Sequence, residues 1–242
     1  MCKYRVGYPH RWKRLFDLFV VLIAVAFIGP LLLIIALLVK ATDNGPVFFR
    51  QERIGMDFRP FILYKFRTMR FGHISVGPPV TVKDDPSITP IGRVLRKTKL
   101  DELPQLFNVL TGDISLVGPR PEVSQYVEMF KEDYKTVLSV RPGITDFAAI
   151  EYRNEEAILL QMGGGAVGER LWDEGLGLKG RGGENSDGGR AAKRYYSTPR
   201  EAYIKEILPA KISLYKKYIA EQSFLTDLKI IARTISKLGC SV

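Results

Sequence analysis

The sequence contains few residues that could build a disulfide or a metal-thiolate site. Its two cysteines, Cys2 and Cys240, lie at opposite ends of the chain and form no cluster, so neither a disulfide framework nor a thiolate metal site is indicated. The two histidines, His10 and His73, are too far apart in sequence to suggest a zinc site. A phosphate-binding loop of the G-x-x-x-x-G-K-S/T type is also missing from the sequence. Any chemistry must therefore come from carboxylates and basic side chains.

Acidic residues are outnumbered by basic ones, and the imbalance narrows the class of partner. Aspartate and glutamate total 26 against 36 lysine and arginine residues, which gives a formal net charge of +10 at pH 7. Such a charge favours an anionic partner, which could be nucleic acid, a phosphorylated substrate or acidic lipid headgroups. A long apolar run near the N-terminus favours the last two, so we expect no nucleic-acid partner.

The apolar run extends from Leu18 to Val39 and lies uncharged between Asp17 and Lys40. A straight helix of this length would reach roughly 33 Å, which is enough to cross a hydrocarbon core of about 30 Å. We therefore predict that the chain enters a membrane.

The charges that flank the run predict the path that it takes. Lysine and arginine favour the cytoplasmic side of a membrane, and a spanning helix would place its two flanks in different compartments. Here both flanks are basic, with Lys13 and Arg14 before the run and Lys40 and Arg50 after it. A hairpin would keep both flanks on the cytoplasmic side.

Gly29-Pro30 lies at the middle of the run and supplies a break. A proline inside a helix removes one backbone hydrogen bond and clashes with the preceding turn, while glycine adds flexibility. We therefore predict a re-entrant helix-break-helix. A spanning helix with a proline kink and a cleaved signal peptide are the alternatives.

Two extended segments follow the apolar run. Val47-Phe48-Phe49 and Phe61 to Met69 flank a turn-like Gly55-Met56-Asp57, which predicts a small β-hairpin. In its second strand Lys65 and Arg67 share a face, because side chains two residues apart point the same way. That face could hold a phosphate. The alternative is a pair of solvated charges on an edge strand.

Asp101-Glu102 is the carboxylate pair that the sequence singles out. It precedes a predicted helix with apolar residues on one face, namely Leu103, Leu106, Phe107 and Leu110. Pro104 is tolerated in the first turn of such a helix. One interpretation is therefore structural, with Asp101 as the helix cap and Glu102 complementing the helix dipole.

The other interpretation of the pair is catalytic. Four basic residues lie just upstream of it: Arg93, Arg96, Lys97 and Lys99. They would hold an anionic substrate against an ionised acid. One carboxylate can then attack phosphorus and form a mixed anhydride. Its neighbour can help to hold a magnesium ion, which usually binds one or two carboxylates together with substrate phosphates.

Two arginines are held by neighbouring prolines. Arg120 stands between Pro119 and Pro121, and Arg141 precedes Pro142. Proline fixes its own φ and restricts the residue before it, so each arginine would be aimed in advance. A planar fork of donors suits a diphosphate, and an ion pair with a surface acid would use the same fork.

The last third of the chain has two different compositions. Residues 163 to 195 hold half of all the glycines and are predicted to form a flexible insertion. From Pro199 onward helical patterning returns, and five apolar residues repeat at 4, 3, 4, 3 spacing: Phe224, Leu228, Ile231, Ile235 and Leu238. This pattern predicts an amphipathic basic helix that either packs on the domain core or lies on the membrane.

Several of these segments together resemble one family. They are the proline-broken apolar element, Tyr64-Lys65-Phe66-Arg67-Thr68-Met69, Leu100 to Leu110, Gly118-Pro119-Arg120-Pro121 and Arg141-Pro142-Gly143-Ile144-Thr145. In this order they resemble the bacterial monotopic phosphoglycosyl transferases over about residues 12 to 153. The family is also called the bacterial sugar transferase or polyprenyl-phosphate hexose-1-phosphate transferase family.

The resemblance implies a re-entrant membrane helix, magnesium, and attack by the first acid of the pair on a nucleoside-diphosphate sugar. By this analogy Asp101 is the nucleophile, and Glu102 positions the metal ion or the substrate. Arg96, Arg120 and Arg153 fall where family members place basic substrate contacts. The length implies the small catalytic form, without the extra membrane helices of larger relatives.

The chain departs from the family pattern in two places. Gly29-Pro30 stands where family members commonly have Ser-Pro. Asp146 to Arg153 stands where the family often reads Gly-Trp-Ala-Gln-Val-Asn-Gly-Arg.

The expected fold is α+β and mainly helical. It would consist of the re-entrant helix-break-helix, the small β-hairpin and amphipathic interfacial helices around one cytoplasmic catalytic domain. The expected boundaries are 1–44 for the basic segment and membrane helix, 45–162 for the catalytic core, 163–195 for the insertion and 196–242 for the C-terminal helices of the same domain.

The expected function is the transfer of a sugar 1-phosphate from a UDP-sugar to polyprenyl (undecaprenyl) phosphate, with release of UMP. The reaction would begin the assembly of an exopolysaccharide, O-antigen or glycoprotein glycan on the cytoplasmic face of a bacterial inner membrane. The expected substrate contacts are Lys65, Arg67, Arg96, Pro119, Arg120, Arg141 and Arg153, and Mg²⁺ is expected at Asp101 and Glu102. The alternative is a non-catalytic membrane-bound scaffold that binds acidic lipid or partner proteins. The sequence leaves open the sugar and the oligomeric state, with a homodimer as one option.

Overall fold

The computed structural model describes residues 10–72, 87–155, 158, 159, 162, 196 and 198–239. The predicted insertion, residues 163 to 195, lies outside this part of the chain. Two units can be distinguished: a first unit of Met1–Ser75, Asp84–Arg153 and Lys211–Val242, and a second unit of Val76–Lys83 and Asn154–Ala210. The carboxylate pair and its surroundings belong to the first unit.

The apolar run forms one long helix, α1 (His10–Thr42). Within the described residues it is the one helix that is long and apolar enough to cross a membrane. Much of its apolar surface is exposed, including Phe19, Phe27 and Leu33. The predicted break is not seen, because α1 continues through Gly29 and Pro30. A single proline removes one backbone hydrogen bond, and the other bonds of a long helix can hold it together as a kinked but continuous element.

The predicted hairpin is present. Strands β1 (Phe48–Ile54) and β2 (Pro60–Phe66) pair antiparallel, with Phe48 opposite Phe66. These two rings stack with their centroids 5.6 Å apart. The connection contains Asp57 and Phe58 with φ of 56° and 61°, the left-handed geometry that a tight hairpin turn requires.

Both halves of α1 pack against the rest of the first unit. Val21, in the first half, is buried in a cluster with Leu63 of β2. Leu32 and Val39, in the second half, are buried in another cluster with Phe66 of β2. Each half of the helix therefore has one face on the protein while other apolar side chains remain exposed.

The carboxylate pair lies between two helices. Helix α2 (Pro90–Thr98) is capped by Thr89, whose side chain accepts a hydrogen bond from the backbone N–H of Gly92 at 2.9 Å. A 3-10 turn, Leu100–Glu102, follows, and α3 (Gln105–Thr111) begins after Pro104. The structural interpretation of Asp101 as a helix cap is wrong, because the N-cap of α3 is Pro104 and no side chain caps this helix.

A second, parallel sheet was not predicted from the sequence. Strand β3 (Ser115–Val117) pairs with β4 (Gly143–Thr145), and the crossover between them contains α4 (Ser124–Met129) and α5 (Lys131–Val137). Helix α6 (Phe147–Glu151) follows β4 directly. The two strands approach closely at Gly118 and Gly143, since a Cβ on Gly143 would lie 2.1 Å from the backbone nitrogen of Gly118.

The C-terminal part is helical. Helix α7 (Pro199–Ala202) leads into a π-helical turn, Tyr203–Ile207, and α8 (Leu208–Glu221) and α9 (Phe224–Gly239) follow. Helix α9 buries Asp227 and Ile230, whereas Phe224 and Ile235 of the predicted apolar stripe are exposed. The face that packs on the core is therefore rotated from the predicted stripe, because successive residues of a helix diverge by about 100°.

Polar side chains attach the start of α1 to the rest of the first unit. Lys13 forms a buried ion pair with Asp227 of α9. Asp17 accepts a hydrogen bond from the hydroxyl of Ser115 in β3 at 2.7 Å. Arg14 donates to the backbone carbonyl of Leu110 in α3 at 2.8 Å. Taken together, the described residues are mostly helical with two small sheets, which confirms the mainly helical character expected of the chain.

Candidate active site

Glu102 lies between two basic side chains that come from different elements. Lys65 of β2 places its Nζ 2.8 Å from Glu102 Oε1. Arg120, which follows β3, places Nη2 2.5 Å from Oε1 and Nη1 3.3 Å from Oε2. The three residues form a charged cluster, which we call the Glu102 cluster, and it is largely shielded from solvent.

The charges of the Glu102 cluster decide the ionisation of the carboxyl. Burial acts to raise the pKa of Glu102, but the charges and hydrogen bonds of Arg120 and Lys65 outweigh it and hold the pKa well below its ordinary value. Burial lowers the pKa of Lys65, although the charge of Glu102 opposes this shift. Glu102 is therefore a permanent anion at neutral pH and is not suited to donate a proton.

Asp101 has a different environment from its neighbour. Its Oδ1 is buried and, among the described residues, has no hydrogen-bond partner. Burial and the negative charge of Glu102 raise the pKa of Asp101, while the charges of Lys65, Lys99 and Arg96 oppose the shift. The carboxylate is thus close to positive charge without being consumed by an ion pair, which is a suitable state for a nucleophile.

The backbone around residue 99 separates the two carboxylates. Lys99 ends α2 with left-handed geometry, φ 59° and ψ 17°, and redirects the chain into the turn that contains Asp101 and Glu102. Successive residues of a 3-10 turn diverge by about 120°. Glu102 can therefore face Lys65 and Arg120 while Asp101 points elsewhere.

The main chain of Arg120 is fixed on both sides. The carbonyl of Pro119, which is buried, accepts a hydrogen bond from the N–H of Gly143 at 2.9 Å. The N–H of Arg120 donates to a carboxylate oxygen of Asp146 at 2.9 Å. Pro119 was predicted to contact substrate. In the structure its carbonyl helps to fix the main chain beside Arg120.

Arg96 lies near the pair without forming an ion pair with it in the described structure. Its Nε donates to the hydroxyl of Thr68 at 2.8 Å, and its charge acts to lower the pKa of Asp101. Three of the side chains that were predicted to contact substrate, Lys65, Arg96 and Arg120, therefore lie within electrostatic reach of the carboxylate pair.

Three other predicted substrate contacts lie differently. Arg67 is buried and pairs with Asp43 at the end of α1, so Lys65 and Arg67 have separate partners although they are two residues apart. Arg141 lines a small cavity together with Lys13, Asp17, Ser115, Val140 and Gln222. Arg153 follows α6, and within the described ranges it forms no ion pair with Asp101 or Glu102.

Two residues that hold this site together were not singled out in the sequence. Asp146 contacts the backbone of Arg120, as described above. Asn108 of α3 is fully buried and binds the edge of β2, because its Oδ1 accepts from the N–H of Tyr64 at 3.1 Å and its Nδ2 donates to the carbonyl of Ile62 at 2.7 Å. No local signal identified Asn108, because at about 100° per residue it lies away from the predicted apolar face of Leu103, Leu106, Phe107 and Leu110.

The carboxylates of the site can be considered as ligands for the expected magnesium ion. In the described part of the chain, no group of three or more histidine, cysteine, aspartate and glutamate side chains is positioned to hold a metal ion. The unpartnered oxygen of Asp101 fits the oxygen ligand that Mg²⁺ prefers. Both oxygens of Glu102 contact basic side chains. The site therefore fits an ion that takes one protein carboxylate and fills its other positions with substrate phosphates and water.

Comparisons with known proteins agree with the motifs. The family model described as bacterial sugar transferase matches residues 8–163. A UDP-glucose:undecaprenyl-phosphate glucose-1-phosphate transferase of Klebsiella pneumoniae is 43% identical over 155 residues, which are 62% of this chain and 33% of the relative. A UDP-N-acetylgalactosamine-undecaprenyl-phosphate N-acetylgalactosaminephosphotransferase of Aeromonas hydrophila is 42% identical over 141 residues, 57% of this chain and 33% of the relative.

A shorter relative is covered to a greater extent. The exopolysaccharide production protein PSS of Rhizobium leguminosarum bv. phaseoli is 44% identical over 143 residues, 56% of this chain and 72% of the relative. The chain spans about a third of the length of the two transferases named before it. Because the family model matches more than half of its residues, the chain belongs to the bacterial sugar transferase family.

Proposed function

We propose that this protein is a phosphoglycosyl transferase that moves a sugar 1-phosphate from a UDP-sugar to polyprenyl phosphate, in its undecaprenyl form. The names of two relatives, which specify UDP-sugars and undecaprenyl phosphate, support this reaction class. The observation that carries the proposal is the Asp101 carboxylate, with its buried and unpartnered oxygen beside the ion-paired Glu102.

The reaction has two steps at one phosphorus atom. First, a carboxylate oxygen of Asp101 attacks the phosphorus that carries the sugar, the bond to the oxygen bridging the two phosphates breaks, and UMP leaves with the electron pair. The protein then holds the sugar phosphate as a mixed anhydride. Second, an oxygen of polyprenyl phosphate attacks the same phosphorus and the Asp101 carboxylate leaves. The products are UMP and polyprenyl-diphosphate-sugar.

The charges of the site suit this chemistry. Neither step requires a proton transfer, and Glu102, whose pKa is held low, remains an anion that holds Lys65 and Arg120 in place. Lys65, Arg96 and Arg120 supply positive charge for the diphosphate of the donor. Arg120 is better placed than Lys65 to contact substrate, because its side chain is 32% exposed against 20% for Lys65.

A magnesium ion is part of the proposal. Asp101, and Glu102 if it exchanges one of its basic partners, are the carboxylates that would hold it. The bound ion would supply charge neutralisation to the diphosphate.

We also propose that α1 bends at Gly29-Pro30 without ending there, so that it enters the membrane and returns to the same side, with the catalytic residues at the cytoplasmic face of a bacterial inner membrane. The basic flanks of the helix and the packing of both of its halves on one unit support this path. It would hold Asp101 near headgroup depth, where a soluble UDP-sugar and the phosphate of a lipid can both reach it.

Cysteine labelling tests the membrane path. Cys2 and Cys240 would be replaced by serine, and a single cysteine would be placed at the exposed Arg11 or Ala41, at opposite ends of α1. An impermeant maleimide added from the periplasm should label neither position, and it should label both after the membrane is permeabilised. Labelling of one position from the periplasm would contradict the re-entrant path.

Turnover by the purified protein in lipid nanodiscs tests the reaction. A panel of UDP-sugars with undecaprenyl phosphate and Mg²⁺ should yield UMP for at least one donor. Asp101→Asn should lower the rate by about a thousandfold or more, since it removes the nucleophile. Asp133→Asn, a more exposed carboxylate on α5, is the matched control and should keep the wild-type rate.

Mass spectrometry tests the intermediate. With the donor alone, the intact protein should gain the mass of one sugar phosphate, located on Asp101. Wild-type UMP release by Asp101→Asn would overturn the nucleophile. A protein that binds membranes but releases no UMP from any donor would support the scaffold alternative instead.

A further inference from the structure

Asp146 joins two parts of the first unit through one buried carboxylate. It is 1% exposed and is the N-cap of α6, where its Oδ1 accepts a hydrogen bond from the N–H of Ala149 at 2.6 Å. Its Oδ2 accepts from the N–H of Arg120 at 2.9 Å. Capping needs a single acceptor oxygen, such as a serine hydroxyl provides. The second bond therefore has a purpose that the helix cap does not explain.

The bond to Arg120 is the one donor contact that the segment Pro119–Pro121 can make through its backbone. Proline has no N–H, so Arg120 carries the single backbone donor of these three residues. The prolines are held through their carbonyls instead, by the N–H of Gly143 at 2.9 Å and by the side chain of Arg53 at 3.0 Å. Asp146 thus fixes the peptide from which the Arg120 side chain starts.

The position of that peptide matters because Arg120 binds Glu102 through two nitrogens. The contacts of 2.5 and 3.3 Å join both terminal nitrogens to both carboxylate oxygens. A planar fork keeps such a pair of contacts only when its origin and orientation are well defined. A small shift of the main chain would break one of the two contacts or move the whole Glu102 cluster.

We propose that Asp146 is a positioning residue, which sets the main chain of Arg120 and so the geometry of Arg120 at Glu102 and at the donor diphosphate. Its effect on turnover rests on the proposed function. Its effect on the Arg120 peptide does not depend on that function. The role differs from general stabilisation because it uses the carboxylate oxygen that the α6 cap leaves over.

Asp146→Ser separates the two bonds. The serine hydroxyl can still cap α6 through Ala149, whereas it cannot also accept from Arg120 across the distance that the carboxylate spans. We expect the Arg120 amide to exchange its hydrogen about tenfold faster, because it loses its acceptor. We expect kcat to fall about tenfold or more, with a smaller change in the KM for the UDP-sugar, because misplacement of a positioning group mainly affects the transition state.

Amide exchange can be read by mass spectrometry on a peptide covering residues 118 to 121, where Arg120 is the single non-proline amide after Gly118. Asp133→Ser on α5 is the matched control and should change neither the exchange nor kcat. Asp146→Asn, which keeps the side-chain volume but only one acceptor oxygen, replaces the serine variant if the latter does not fold. Its amide nitrogen cannot accept a hydrogen bond, so one of the two bonds is lost.

Wild-type exchange at Arg120 or a wild-type kcat in the folded variant would overturn the proposal. A drop in the midpoint of thermal unfolding without a change in kcat would also overturn it, because Asp146 would then contribute to stability without setting the geometry of Arg120. Absence of transfer by the wild-type protein would instead overturn the proposed function, and the exchange measurement would then still decide whether Asp146 fixes the Arg120 peptide.

Discussion

Arg120 binds Glu102 through both of its terminal nitrogens, at 2.5 Å and 3.3 Å. A lysine at this position carries its charge on a single nitrogen, so it cannot form the planar fork of two nitrogens on two oxygens that arginine forms. We therefore expect Arg120→Lys to lower kcat/KM for the UDP-sugar by about tenfold to a hundredfold. Steady-state release of UMP measures the change.

A matched arginine variant shows whether the geometry or only the charge is needed. Arg233→Lys, on the exposed face of α9, keeps the local charge in the same way and should have wild-type kinetics. An Arg120→Lys protein as active as the wild type would mean that charge alone is required at residue 120.

The pH dependence of turnover should reveal the environment of Asp101. Attack requires the ionised carboxylate, and both burial and the charge of Glu102 raise the pKa of Asp101. The rate should therefore fall as the pH drops through that raised pKa, at a higher pH than for an ordinary aspartate. Measurement of kcat/KM against pH locates this acidic limb.

Glu102→Gln should move the acidic limb of the profile to lower pH. The substitution removes one of the groups that raise the pKa of Asp101, and it leaves the positive charge of Lys65 unbalanced, which acts in the same direction. Asp133→Asn should leave the limb in place. A limb that moves to higher pH in Glu102→Gln would contradict the assignment of Asp101 as the titrating group.

Arg67 should affect stability more than substrate binding. It is buried against the C-terminal end of α1, where it pairs with Asp43, and its Nε and Nη1 have no hydrogen-bond partner among the described residues. We expect Arg67→Met to lower the free energy of unfolding by roughly 1 to 3 kcal/mol, because Asp43 loses its charged partner. Chemical unfolding in detergent micelles measures the loss.

Kinetics of the same variant test the predicted role of Arg67 as a substrate contact. The folded Arg67→Met protein should keep the wild-type KM for the UDP-sugar. Arg233→Met, at an exposed arginine on α9, is the control for removal of one positive charge and should alter neither quantity. A large rise in KM with unchanged stability would show that Arg67 contacts substrate after all.

Replacement by alanine should lower the stability of the protein at Gly143 and raise it at Gly29. A Cβ at Gly143 would lie 2.1 Å from the nitrogen of Gly118, so β3 and β4 would have to separate. We expect Gly143→Ala to cost about 1 to 3 kcal/mol or more, as overpacking does. Gly29 has open space around its Cβ position, and Gly29→Ala should stabilise α1 by roughly 0.5 to 1 kcal/mol.

Thermal unfolding of the two variants side by side measures these effects. Equal midpoints for Gly143→Ala and the wild type would contradict the close approach of β3 and β4. A clear loss of stability in Gly29→Ala would indicate that α1 needs a flexible residue before Pro30.

Local patterns in the sequence predicted part of this fold well. The long apolar run became α1, the two extended segments between Val47 and Met69 became the β1–β2 hairpin, and the apolar spacing after the acid pair became α3. Each of these signals arises from residues that are close in sequence. The break at Pro30 was the exception, since a proline weakens a helix locally and the neighbouring turns determine whether the helix ends.

Contacts between residues that are far apart in sequence could not be predicted from local patterns. Strands β3 and β4 have three residues each, too few to show a period, and their pairing depends on the helices between them. The same is true of the Arg67 pair with Asp43. The acid pair and Arg120 were identified from local patterns, namely the basic residues upstream of the pair and the prolines on both sides of Arg120, and the family resemblance then assigned their roles. The bond from Asp146 to Arg120 joins parts that no local pattern relates.

The strand β2 connects both halves of α1 to the Glu102 cluster. Leu63 and Phe66 pack against opposite halves of α1, and Lys65, which lies between them in sequence, binds Glu102. Because Lys65 shares a strand with both apolar contacts, a substitution that shifts β2 against α1 would also displace the ammonium group from Glu102.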